Sequence, residues 1–108
     1  MTSQFNELYN AVQTVKKQLA TYAALMREKS TGYDVAREAL RTLVTITAAN
    51  NALEAARSQL PKQRAKGIAN CLEEMRKLLS REKVSDVQWH LLALKTSMET
   101  IIAQMRSF

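Results

Sequence analysis

The chain has 108 residues, of which 46% are apolar and 24% are charged, as is usual for a globular protein. Two glycines and one proline are too few for a turn-rich β-sandwich or β-barrel. One cysteine and one histidine exclude a disulfide scaffold and a conventional zinc site, and the formal net charge is +6.

Apolar residues alternate at spacings of three and four through the N-terminal part of the chain. This first seam consists of Phe5, Leu8, Val12, Val15, Leu19, Tyr22 and Met26. A strand would scatter these residues over both of its faces, whereas a helix aligns them along one side. The pattern therefore predicts a first helix from about Ser3 to about Lys29, with Gly32 as its stop.

The second predicted helix lies between Thr31 and Pro61. Thr31 and Asp34 have the spacing of a capping box, and Pro61 marks a break or a new first turn. The stretch 42–47 is locally β-prone, but the longer helical pattern is favoured over it. The residues expected to face the core are Ala36, Ala39, Leu40, Leu43, Ile46, Leu53, Ala56 and Leu60.

Two further apolar stripes follow Pro61. The third stripe consists of Ile68, Cys71, Leu72, Met75, Leu78 and Leu79. Ser85 and Gln88 then match a full capping box, and Val84 is placed to pack on Trp89 as a hydrophobic staple. The fourth stripe repeats the strict spacing of the first and consists of Val87, Leu91, Leu94, Met98, Ile101, Met105 and Phe108.

Short connections make consecutive helices antiparallel neighbours. The sequence therefore predicts an all-α fold, an antiparallel bundle of about four helices in a single domain over 1–108, or a bundle that dimerisation completes. No apolar run approaches the ~18 residues of a membrane span, so we expect no membrane insertion. With no targeting segment evident, we expect a cytoplasmic protein in which Cys71 is a small buried hydrophobe.

His90 and Cys71 are the first residues to consider for chemistry. We expect His90 to be a histidine at the edge of the core with one hydrogen bond, because Ala93 and Leu94 stand where a phosphotransfer site would need a cation. The apolar neighbours of Cys71 are expected to raise its pKa. No Glu-x-x-His motif or glycine-rich loop occurs. We therefore predict no catalytic residue, metal or cofactor, and no enzymatic activity.

Apolar residues outside the seams indicate a surface for a partner. Trp89 and Leu92 lie about 140° and 160° from Leu94 around the fourth helix, and Tyr33 and Val44 are off-centre on the second. These four residues either cover a neighbouring helix or form a protein interface, for which tryptophan is a preferred anchor. We predict a small binding protein (adaptor, regulator or chaperone-like) that acts through helix packing, as a homodimer or with a helical partner.

Positive charge is concentrated in residues 61–83, where seven lysines and arginines against three glutamates give a net charge of +4. The alternative function is therefore sequence-independent binding of an RNA or DNA backbone. Its candidate contacts are Arg57, Lys62, Arg64, Lys66, Lys77 and Arg81. The competing interpretation is a solvated face, since Glu73 precedes Lys77 by four residues and can pair with it.

Overall fold

Four α-helices form the part of the chain, residues 3–80 and 86–106, that the computed structural model describes. They are α1 (Ser3–Arg27), α2 (Gly32–Ala56), α3 (Lys62–Leu79) and α4 (Val87–Met105), with a short 3₁₀ turn at Arg57–Gln59. Each helix packs on the next one, and α4 returns to α1, within extents of 41 × 21 × 19 Å. The predicted all-α antiparallel four-helix bundle is confirmed.

The first seam lies in the core as predicted. Its first six residues are buried, and Met26 at its end is half-buried. Across the bundle, α3 contributes a buried row made of Ala65, Ile68, Leu72, Met75, Leu78 and Leu79. Cys71, which was assigned to the same row, is half-buried. These interlocking apolar rows supply the main stabilisation of the fold, at ~25 cal/mol per Å² of apolar surface removed from water.

The core face of α2 differs from the predicted one. The buried residues are Ala39, Thr42, Ile46, Ala49, Leu53 and Ala56. Ala36 and Leu40, both expected in the core, are exposed, while Leu43 is half-buried. Thr42 continues the three–four spacing in place of Leu40, and its hydroxyl donates to the Glu38 carbonyl at 2.8 Å. A threonine satisfied in this way can occupy an apolar position without leaving its hydroxyl unpaired.

Small side chains occupy several positions on the core face of α2. The small residues of this face are Ala39, Thr42, Ala49 and Ala56. The distance between packed helices depends on the size of the side chains at their contact. Among the neighbouring helix pairs of the described chain, α1–α2 has the most extensive contact and α1–α4 the least. The four sides of the bundle are therefore unequal.

A close approach also ties α4 to α3. A β-carbon added at Gly67 of α3 would lie 3.3 Å from the Gln104 side chain of α4. The absence of a side chain at Gly67 thus leaves room for the Gln104 side chain, which packs over it. With α1 held against α2 and α4 held against α3, the α1–α4 side of the bundle is the loosest.

The start of α4 corrects the predicted cap. Asp86 is the N-cap, and its carboxylate accepts a hydrogen bond from the backbone N–H of Trp89 at 3.1 Å. Trp89 is consequently the third residue of the helix and not the fourth. Ser85 and Val84, predicted to form the cap and the staple, lie outside the described residues.

The buried face of α4 agrees with the predicted stripe from Leu94 to Met105 and differs from it only in the first turns of the helix. Its buried residues are His90, Leu94, Met98, Ile101 and Met105. Val87 is exposed and Leu91 is half-buried, although the spacing placed both in the core. These two side chains are not fully buried because α1 does not pack over this side of α4. Phe108, the last residue of the predicted stripe, lies outside the described residues.

α1 ends in a Schellman motif with lysine at the position that glycine usually takes. Lys29 has φ 54°, its N–H donates to the Met26 carbonyl at 3.3 Å, and the Ser30 N–H donates to the Leu25 carbonyl at 3.0 Å. The left-handed conformation crowds the β-carbon of any residue other than glycine. The backbone hydrogen bonds of the motif therefore end α1 although lysine is unfavourable in the left-handed conformation.

The sequence predicted that Gly32 ends α1. In the structure, Gly32 is instead the first residue of α2. The preceding Thr31 is the N-cap, and its hydroxyl oxygen accepts the N–H of Asp34 at 3.3 Å. The Thr31 hydroxyl also donates to the Asp34 carboxylate at 3.0 Å. The capping pair predicted from the spacing is thus confirmed, while the stop of α1 lies three residues earlier, at Lys29.

Replacing the left-handed lysine tests this account of the α1–α2 turn. Lys29→Gly should raise the free energy of unfolding by about 1 kcal/mol, since glycine adopts positive φ without steric cost. Urea denaturation monitored by circular dichroism measures the change. In the matched control Glu28→Gly, where φ is not positive, stability should fall or stay the same. A loss of stability in Lys29→Gly would contradict the turn geometry.

Candidate protein interface

An open groove of about 1210 Å³ runs between α1 and α4, and we call it the α1–α4 groove. Its apolar lining includes Leu19, Ala20 and Ala23 of α1 and Leu91, Met98 and Ile102 of α4. Leu19 and Met98 are buried and form its floor, whereas Leu91 and Ile102 are half-exposed on its wall. Alanines on the α1 side leave the groove wide, because their side chains reach only a short way toward α4.

The rim of the α1–α4 groove is positively charged. Lys16, Arg27, Lys95 and Arg106 line it together with one carboxylate, that of Glu99. Lys95 approaches Glu99 with Nζ 3.9 Å from Oε1, and both side chains are largely exposed. Within residues 3–80 and 86–106, no ion pair involves the other three cations. The groove therefore combines an apolar floor with a net positive field.

Three large apolar residues in the first two turns of α4 are exposed. Trp89 is 62% exposed, Leu92 is 60% exposed and Val87 is 39% exposed. Leu92 and Val87 also line the groove. The sequence left two interpretations of Trp89 and Leu92, packing on a neighbouring helix of the bundle or contact with a partner protein. Both side chains are exposed to solvent, so the first interpretation is not favoured. Their placement fits the interface reading.

Tyr33 and Val44, the other two predicted interface residues, lie on a separate surface. They are 73% and 72% exposed on α2, and Leu40 is exposed on the same helix. Since α2 packs on α1 and α3, it lies diagonally opposite α4 across the bundle. The structure thus divides the four predicted residues into an α4 surface and an α2 surface.

The sequence analysis missed the groove and the part that Val87, Leu91 and Ile102 have in it. The first two were hidden by their regular spacing, which assigned them to the core. Ile102 follows the predicted core residue Ile101 and was not singled out. A surplus of apolar residues on α4 was the available signal, because this helix has more of them than one core face can bury.

Tyr22 and His90 form a buried polar contact between α1 and α4. The Tyr22 hydroxyl lies 3.1 Å from Nε2 of His90, and the ring centroids are 5.8 Å apart. His90 is only 3% exposed, and burial raises the pKa of Tyr22. The sequence placed His90 at the edge of the core with one hydrogen bond, whereas the structure buries it within the core with the Tyr22 hydroxyl as a partner. An imidazole this enclosed does not fit a phosphoacceptor, which needs an accessible ring.

Cys71 shows no sign of an activated thiol. It is half-buried on α3, and burial raises its pKa, with a further rise caused by the nearby Glu74 carboxylate. Both effects disfavour the thiolate, which is the nucleophilic form. The direction agrees with the expectation drawn from its apolar neighbours.

Of the six basic residues proposed as nucleic-acid contacts, four are exposed, one is half-buried and one lies outside the described residues. Arg57 pairs with Glu54 at 2.9 Å, Arg64 is half-buried, and Arg81 lies outside the described residues. The residues that stay exposed on α3 are Lys62, Lys66 and Lys77. On the same helix, a carboxylate pairs with an arginine at 2.6 Å, which reduces the net charge of this face.

Other features of the described chain give no further site. Its His, Cys, Asp and Glu residues form no cluster of three that could hold a metal ion. None of its helices has the length and hydropathy of a membrane span. No protein-family model matches the sequence, and no curated protein or solved structure is significantly similar to it. The function is therefore argued from the exposed surfaces.

Removing the Tyr22 hydroxyl tests the buried contact that joins α1 to α4. Tyr22→Phe should lower the free energy of unfolding by about 1–2 kcal/mol, because a buried ring nitrogen of His90 loses a hydrogen-bond partner. Urea denaturation measures the change. The matched control Tyr9→Phe, at a 47% exposed position of the same helix, should leave stability unaltered. Equal stability of both variants would show that the Tyr22–His90 contact is not formed in solution.

Proposed function

We propose that this chain is a non-enzymatic binding protein, an adaptor, regulator or chaperone-like module, that acts by packing a helical partner against α4. The observation that carries the proposal is the exposure of Val87, Trp89 and Leu92 beside the α1–α4 groove. Tryptophan is enriched among the residues that dominate binding energy at protein interfaces. Trp89 is the only tryptophan of the chain and is exposed on this face.

Burying the α4 surface would contribute favourable free energy to a complex. A tryptophan buries 150–250 Å² in a core or interface, and apolar area contributes ~25 cal/mol per Å². Trp89 and its apolar neighbours together therefore offer several kcal/mol before the entropic cost of association is subtracted. The rigid helix that carries these side chains keeps that cost low, because its backbone is already ordered.

Self-association is one form of this function. Two copies joined by a twofold axis would pack the same surface on both chains, with Trp89 near the centre. The net charge of +6 opposes such a dimer at low ionic strength, so added salt would strengthen it. A reducing compartment such as the cytoplasm suits the free thiol of Cys71.

The alternative of nucleic-acid binding rests on three exposed lysines of α3, Lys62, Lys66 and Lys77. Phosphate binding needs a cluster of cations free of acidic neighbours. Here Glu73 and Glu74 belong to the same helix, and Arg64 is half-buried. The α4 surface is the better-supported candidate, because its apolar residues have no other evident use.

Paired surface variants test the proposal. Two double variants are compared. The α4 variant combines Trp89→Ser with Leu92→Ser, and the α2 variant combines Tyr33→Ser with Val44→Ser. Light scattering over a range of concentrations measures self-association, and selection from a displayed library of amphipathic helices measures binding of a partner. Loss of the α4 side chains should weaken either kind of binding by about 2 kcal/mol, which is roughly 30-fold.

The α2 variant is the matched control, since it removes the same number of exposed apolar side chains. Weakening in the α4 arm alone supports α4 as the contact surface. A wild-type protein that stays monomeric and selects no helix would refute the proposed function. So would binding that neither pair of substitutions changes.

A further inference from the structure

The α1–α4 groove has a chemical character that narrows the identity of its occupant. Its floor and walls are apolar, and four cations surround them with one carboxylate. An occupant that covers such a groove must bring an apolar stripe for the floor and negative charges for the rim. In a helix, these requirements are met by an amphipathic sequence with glutamate or aspartate beside its apolar face.

The dimensions of the groove suit a helix of about three to five turns. On α1 it runs from Lys16 to Arg27, a rise of about 16 Å at 1.5 Å per residue. The α4 wall is longer and runs from Val87 to Arg106, about 28 Å by the same rise. The Tyr22–His90 contact places the end of α1 beside the start of α4, so the two walls run antiparallel.

We infer that the α1–α4 groove binds an acidic amphipathic helix supplied by another protein. The inference rests on the proposed function and narrows it to one groove and one partner chemistry. The apolar stripe of the helix packs on Leu91, Met98 and Ile102. Its carboxylates lie against Lys16 and Arg27 on one rim, and against the basic residues of α4 on the other.

Charge argues against a second copy of this chain as the occupant. The exposed apolar residues Leu40 and Val44 of α2 are accompanied by Arg37 and Arg41 on the same helix. Placing this surface in the groove would bring cations against a cationic rim. If the second copy used its α4 instead, that helix would bring its own Lys95 toward the same cationic rim. Like charges in an interface disfavour the wrong partner, so the groove selects an acidic one.

The apolar lining argues against a nucleic acid as the occupant. A phosphate backbone would satisfy the cations but would leave the floor uncovered, and none of the residues that line the groove is aromatic. Single strands bind where aromatic side chains offer stacking platforms. An acidic amphipathic helix can cover the apolar floor and pair with the cations of the rim, whereas a nucleic acid can only pair with the cations.

A designed peptide is the probe that tests the inference. It has about 18 residues, with leucines at helical positions i, i+3 or i+4 and i+7, and glutamates on both flanks. One control replaces every glutamate by lysine, and a second scrambles the sequence. Fluorescence anisotropy of the labelled peptide should show binding of the acidic helix, weaker as salt rises, and at least ~10-fold weaker binding of both controls.

Substitutions on the protein locate the binding site. Ala20→Trp fills the α1–α4 groove from an exposed helix position and should abolish binding, while Ala48→Trp, at an exposed position of α2, should not change it. Lys16→Glu with Arg27→Glu should weaken binding roughly 10-fold at low salt. The charge-matched control on α2, Arg37→Glu with Arg41→Glu, should change it much less.

The outcomes separate this inference from the proposed function. Binding of the lysine peptide as tight as that of the acidic one, or binding unaffected by Ala20→Trp, overturns the groove assignment. If a helix still binds and depends on Trp89 and Leu92, the proposed function stands without the inference. A dimer that Ala20→Trp disrupts assigns the groove to a second copy and overturns the inference. Absence of any helix binding overturns the inference, and it removes the proposed function as well when the protein also stays monomeric.

Discussion

The close packing of α1 against the small residues of α2 is the interaction on which the rest of the molecule depends. Ala49 and Ala56 of α2 are buried with no exposed surface, and α1 makes its most extensive helix contact with α2. On the far side of the bundle, α4 packs on α3, and the Gln104 side chain lies over Gly67. Two tight helix pairs result, and the space between α1 and α4 stays open.

That asymmetry connects the fold to its surfaces. If α4 were packed as closely on α1 as α1 is on α2, Leu91 and Ile102 would complete the core and no groove would exist. The Tyr22–His90 contact instead joins the two helices near one end of the groove. A buried hydrogen bond at that point keeps the groove from widening further, since breaking it would leave polar groups unpaired in the core.

The sequence predicted the helices better than it predicted their faces. The strict spacing of the first seam gave the buried side of α1, and Thr31 was a correct helix start. On α2 the apolar pattern included Leu40, which is exposed, and left out Thr42, which is buried. Residue spacing does not show that the Glu38 carbonyl accepts a hydrogen bond from the Thr42 hydroxyl.

The candidate site was predictable only in part. Helical angles alone indicated that Trp89 and Leu92 leave the core, and both are exposed. The groove could not be predicted, because it depends on how far apart two helices pack, and residue spacing carries no information on that distance. Spacing shows which side a residue faces. It does not show whether a neighbouring helix covers that side, as Val87 and Leu91 illustrate.

The openness of the α1–α4 side is tested most directly by the chemical accessibility of two adjacent positions on α4. In a Cys71→Ser background, Ile102→Cys places a thiol on the groove wall and Ile101→Cys places one in the core, where Ile101 has no exposed surface. A bulky maleimide should modify Ile102→Cys within about tenfold of the rate in denaturant, and Ile101→Cys at least ~1000-fold more slowly. Equal protection of both thiols would mean that α1 closes over α4 and that the groove does not exist in solution.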